Sequence, residues 1–205
     1  MFARIAPEDS ARVLAVVPTP QFSGHAVVDG WGLAPGSFAT WKLGLFATNE
    51  ARIRSFNRHL LQSLRRHRPA ILVLGIPRQD EPRSQALRHA AIRLAVAHGV
   101  PAIVRPVTEA RCLFLGRQRG SRDDTLAACV VTGFFPELGP FRNPKQTIQR
   151  RYRCHSFEAV AMALHELVER APLSAAVISK DDAFAMGRFN AALTESARRH
   201  FPDNL

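Results

Sequence analysis

The chain has 205 residues, 46% of them hydrophobic, with 28 basic against 17 acidic side chains and a net charge of +11. This length suits one α/β domain that buries about 70% of the surface its unfolded chain exposes. No apolar run reaches the ~20 residues that cross a bilayer, which excludes a helical membrane span.

All the basic residues except Lys42, Lys145 and Lys180 are arginine. Arginine forks match phosphate and released counterions drive association, so the balance favours polyanionic partners. Cys112, Cys129 and Cys154 have neither CxxC spacing nor an even count, which argues against a disulfide framework or a cysteine zinc site. Glu8 and Asp9 stand where a signal peptide carries its basic start, so the expected compartment is the cytoplasm.

After a leader over residues 1–11, Val13-Leu14-Ala15-Val16-Val17 reads as a buried strand stopped by Pro18. The turn from Pro18 to Gly24 leads into a returning strand, His25-Ala26-Val27-Val28, closed by Asp29-Gly30. The alternation from Ser37 to Gly44 predicts a third antiparallel strand, with Trp31 and Trp41 packed at the sheet's edge. Thr48 or Asn49 can cap a helix whose Ile53, Phe56, Leu60, Leu61 and Leu64 form one apolar face. Arg52, Arg54, Arg58, Arg65 and Arg66 read as its solvated side, and Pro69 ends it.

The run Ala70 to Pro77 suits a strand covered on both faces. A helix from Ser84 to His98 turns Leu87, Ala91, Leu94 and Ala95 inward and is capped by Gly99, and Pro101 to Val107 is the next strand. Further helices are predicted from Thr108 to Leu115, from Asp123 to Phe135, and from His155 to Arg170, where His165-Glu166 reads as surface. The basic segment 141–154 contains Pro144 and little apolar pattern, so it reads as an exposed loop. Strand and helix alternation at these lengths means parallel crossover units joined to an antiparallel hairpin.

In Val13–Pro20, Gly24–Gly30, Arg68–Gly75, Phe134–Leu138 and Phe157–Leu164, this order resembles the RNase H-like fold. More narrowly, it resembles the RuvC-type Holliday-junction resolvases and their bacterial RuvC-like relatives. The expected fold class is α/β, RNase H-like: a mixed sheet with an antiparallel N-terminal three-strand meander, then parallel strands and flanking helices. The domain spans 12–170, and 171–205 form a C-terminal extension.

The resemblance implies catalytic carboxylates at three element ends, converging on two divalent metals that activate water and stabilise the leaving oxygen. In this chain Val17 stands where the first-strand Asp is expected, and Gly75, or its neighbour Leu74 or Ile76, where the Glu is expected. On the last helix His155-Ser156-Phe157-Glu158 stands in the acidic motif, so Glu158 keeps the charge and His155 offers a softer ligand. Glu158 reads first as a plain carboxylate at a helix N-terminus and only second as a metal ligand. One acid does not hold two magnesium ions, so no cofactor is expected. If activity survives, magnesium at Glu158 would lean on substrate phosphates.

Asp80 and Glu81 lie close enough in sequence to substitute, whereas Asp29 ends the hairpin at the wrong edge. Arg117, Arg119, Arg122, Arg142, Lys145, Arg150, Arg151 and Arg153 are the expected nucleic-acid contacts, with a solvated loop as the plainer alternative. The expectation is a RuvC-like protein that binds branched or structured DNA as a homodimer, with nuclease activity lost or reduced. The alternatives are an active Mg-dependent endonuclease with a rearranged acidic set, or an assembly component that uses the scaffold for protein contacts.

Overall fold

β1 (Val13–Val17) forms from the β-branched run, and all of its side chains are fully buried. The computed structural model describes residues 12–30, 32–44, 48–110, 128, 131–142 and 147–170. The leader, Trp31, Cys112, Cys129 and the C-terminal extension lie outside these residues. β2 (Phe22–Asp29) returns antiparallel to β1, in register from Val13↔Val28 to Val17↔Gly24. Thr19 tightens the turn, its hydroxyl donating to the Phe22 carbonyl at 2.6 Å.

The expected third strand is present, four residues long within Ser37 to Gly44, and a separate two-residue strand precedes it. β3 (Gly32–Leu33) pairs with the end of β2, and β4 (Ala39–Lys42) pairs with its beginning. Pro35 has no N–H to offer a ladder, and the Val27 carbonyl is taken by the Ala34 N–H at 2.9 Å and the Ser37 hydroxyl at 3.0 Å. β5 (Ile71–Ile76) runs parallel to β1, and β6 (Ala102–Pro106) parallel to β5. The sheet order is therefore β3-β2-β1-β5-β6, with β4 also on β2.

α1 (Asn49–His67) starts at Thr48, whose hydroxyl accepts the Ala51 N–H at 3.2 Å, and ends before Pro69. Arg52, expected at the surface, is buried. α2 (Pro82–Ala97) buries Leu87, Ala91 and Ala95, and beyond it the Gly99 N–H returns to the Val96 carbonyl at 3.0 Å. A helical turn begins at Val107 rather than at Thr108.

The largest departure concerns α3 (Thr147–Arg170), which begins well before His155. Residues 147–154 are thus helical and not an exposed loop, and Gly139–Arg142 forms a short helix of its own. The reason is local. Between Thr147 and Arg170 there is neither Pro nor Gly, and Gln and Arg are good helix formers even without an apolar stripe. Glu158 accordingly sits inside a helix, not at its N-terminus.

Strand pleating sorts the core into two layers. Leu14, Val16, Val27, Leu72 and Leu74 pack with Phe56, Leu60, Leu87 and Ala91 of α1 and α2. Val13, Ala15, Val17, Ala26, Ile71 and Val73 pack with Phe157, Val160, Met162 and Leu164 of α3. Among the described residues no helix is long and apolar enough to cross a membrane.

Candidate functional site

Val17, Gly24 and Gly75 lie side by side across the sheet. Val17 is paired with Gly24 on β2, and Gly75 stands one step beyond the Val16↔Leu74 pair. α3 crosses this row at unusually close range. A Cβ on Gly24 would stand 2.0 Å from the His155 carbonyl carbon and 2.3 Å from the Ser156 nitrogen, so helix main chain rests directly on strand main chain. Ser156 fixes the crossing, its hydroxyl lying 2.7 Å from the Thr40 hydroxyl and 2.8 Å from the Ala39 carbonyl on β4.

At Gly75 the space is filled by apolar groups. A Cβ there would meet the Met162 Sδ at 2.8 Å, a Val17 methyl at 2.9 Å and a Val107 methyl at 3.1 Å. One turn along the helix, His155 Nδ1 and Glu158 Oε2 are 2.9 Å apart, with the Glu158 side chain 8% exposed. Burial pulls the His155 imidazole down, but hydrogen bonds and charge from Cys154 and Glu158 outweigh it and raise its pKa from 6.5 to about 10. The contact commits His155 Nδ1 to Glu158.

Of the acids weighed as substitutes, Asp80 and Asp29 are engaged elsewhere, and Glu81 stands at the N-cap of α2. Asp80 accepts from Arg88 at 2.7 and 2.6 Å, and the Arg88 hydrogen bond holds its carboxyl below the usual range. Asp29 is paired with Arg12. Glu166, expected on the surface with His165, is buried and lies 3.2 Å from Arg105. Among the described residues no three His, Cys, Asp or Glu side chains converge as a metal site. Among the described residues the donor set around Val17 and Gly75 does not fit the two-metal centre of the resolvase type: Glu158 is the carboxylate these residues bring there, and it is tied to His155.

Arg153 places its guanidinium 4.9 Å over the ring of Phe141, which is 39% exposed. Behind it, Phe38 contacts both Phe141 and Phe157 at 5.6 and 5.1 Å between ring centres. Arg150, Arg151 and Arg153 therefore belong to the first half of α3 rather than to a loop. Arg117, Arg119, Arg122 and Lys145 lie outside the described residues, as do the side chains of Arg142, Arg150 and Arg151.

No family model and no curated protein matches the sequence. Solved structures match in shape, among them RuvC of Thermus thermophilus, with a TM-score of 0.58 and 21% identity over 78% of this chain and 95% of that one. Another is T. thermophilus RuvC in complex with a Holliday junction substrate, with a TM-score of 0.59 and 19% identity over the same 78% and 95%. The chain has the RuvC fold. Its antiparallel hairpin, parallel crossovers and covering last helix are the RNase H-like arrangement expected from the element order. Sequence reasoning missed the Thr40–Ser156 tie and the seating of α3 on Gly24. A glycine inside β2 and the small Ser156 on the helix above it were the available signal.

Proposed function

We propose that this RuvC-like chain is a nucleic-acid-binding protein that grips branched or structured DNA, acts as a homodimer in the cytoplasm, and has lost or reduced nuclease activity. The observation that carries the reading is a RuvC fold in which methyl and thioether groups occupy the space beside Val17 and Gly75. DNA binding is supported by the net charge of +11 and by Arg153 stacked on the exposed Phe141, a pairing suited to phosphate contact beside a stacking surface. The similar RuvC structure solved with a Holliday junction substrate sets the class of DNA to try first. Glu158 and His155 then act as an internal ion pair that holds α3, not as metal ligands.

Titration of a synthetic four-way junction and a linear duplex over a range of salt tests this. Affinity is expected to fall steeply as salt rises, with the junction preferred. Arg153→Ala is expected to weaken binding evenly across sequences and reduce the slope of log K against log salt by about 1. With magnesium added, the junction is expected to stay intact. Robust cleavage abolished by Glu158→Gln would overturn the loss of activity, and no affinity for any DNA or RNA at low salt would favour an assembly component instead.

A further inference from the structure

On the sheet face opposite α3 there is a cavity of about 150 Å³ that the DNA reading does not use. It is lined by His25 and Trp41 from the sheet and by His59, Ser63, Arg66 and His67 from α1. The volume holds about five waters at roughly 30 Å³ each, room for a tetrahedral oxyanion. Trp41 forms a wall stacked on His25 at 4.5 Å and on His59 at 5.5 Å between ring centres. His25 Nδ1 lies 3.1 Å from the Ala39 carbonyl. A carbonyl only accepts, so this nitrogen carries the hydrogen and Nε2 is left as the base.

Among the described residues no carboxylate lines the cavity. Burial, then the charge of Arg58, lowers the His59 pKa, while burial, Arg66 and Arg12 lower that of His67. His25 is pushed down by burial, against its Ala39 hydrogen bond, and further by His67 and His59. Arg12 is itself paired with Asp29, outside the cavity lining. These imidazoles are bases pushed toward the neutral form by desolvation and by neighbouring positive charge, from arginines at His59 and His67 and from the other two histidines at His25. A cation would meet Arg66 with no described carboxylate to hold it, and an uncharged ligand would make no use of the guanidinium's charge. An oxyanion supplies the missing charge, and each imidazole it protonates becomes a charge-assisted donor.

We propose that this cavity is a binding site for a phosphate group, either inorganic phosphate or the terminal phosphomonoester of a nucleic-acid strand, held by Arg66, His59 and His67. Binding takes up protons, so affinity rises as pH falls. The site lies across the sheet from Glu158 and Arg153, and small-anion binding is measured without DNA, so it stands or fails apart from the DNA reading.

The test follows the histidine side-chain NMR signals of the full chain. Inorganic phosphate is expected to shift His25, His59 and His67 saturably. Sulfate, a dianion throughout the range, isolates the protein's own protonation, and it is expected to bind about tenfold more tightly at pH 6 than at pH 8. Arg66→Ala, at an exposed position, is expected to keep the fold and weaken both anions at least about tenfold. His59→Gln is expected to reduce the pH dependence while retaining weak binding. An oligonucleotide with a 5′-phosphate that outcompetes its unphosphorylated copy, only when Arg66 is present, assigns the strand end as source, and phosphate alone acting assigns the free anion. The absence of saturable shifts with any of these probes, shifts indifferent to Arg66→Ala, or sulfate affinity that does not rise toward pH 6 would overturn the proposal.

Discussion

Replacing Gly24 with alanine is expected to lower the melting temperature by on the order of 10 °C, or to prevent folding altogether. The added methyl would lie 2.0 and 2.2 Å from the His155 carbonyl carbon and oxygen and 2.3 Å from the Ser156 nitrogen. No side chain can swing aside, because every one of those atoms is main chain in the middle of α3. Relief requires lifting the helix from the sheet, which opens the layer holding Phe157, Val160 and Leu164. A cost of about 3 kcal/mol or more follows for overpacking that cannot relax. Gly32→Ala is the control: outside its own chain neighbours the nearest atom to its added carbon is the Asp29 carbonyl oxygen at 3.6 Å, an ordinary contact, and the position is extended strand. It is expected to be neutral or slightly stabilising. Urea unfolding of both variants checks this, and an unchanged midpoint for Gly24→Ala would refute the close seating.

The second large effect is a loss of stability in mild acid. Burial is the main reason the His25 pKa falls from 6.5 to about 4, with His67 and His59 adding to it against the Ala39 hydrogen bond. The sign is set by proton uptake. Between these two values the unfolded chain binds a proton that the native chain refuses, so the part of the stability that depends on His25 is complete above pH 6.5 and drains away as pH falls toward 4. The gap between 6.5 and about 4 corresponds to about 3 kcal/mol. In acetate and MES buffers, free of phosphate, the unfolding free energy of the wild type is expected to fall steeply over this window. His25→Gln is expected to be less stable at pH 7 but to show a flatter profile. Parallel profiles for the two proteins would show that His25 is not the group responsible.

The strands and α1 were legible because their signals are redundant. The β-branched run of β1, the apolar run of β5 and the stripe of Phe56, Leu60 and Leu64 each end at a proline. The first half of α3 was not legible, because residues 147–154 fold by propensity and carry no apolar stripe. At the candidate site the identities of Val17 and Gly75 could be read, but not what fills the space beside them. Met162 and Val107 come from elements distant in sequence, and their convergence is a property of packing alone. The cavity on the other face did leave a trace. His59, Gln62, Ser63, Arg66 and His67 recur at helical spacing, yet a polar stripe is indistinguishable from a solvated one until Trp41 is seen against it.

The seating of α3 also bears on any attempt to engineer metal chemistry into this scaffold. Val17→Asp with Gly75→Glu would put two anions among a sulfur and valine methyl groups, each stripped of water and without a counter-ion. Backing the helix off to admit water and ions is opposed by the tie between Ser156 and Thr40, and by the loss of every apolar contact beneath it. Successful redesign must therefore carve room first, by shortening Met162 and relaxing the helix's track over the hairpin. Only afterwards does adding acids become worthwhile.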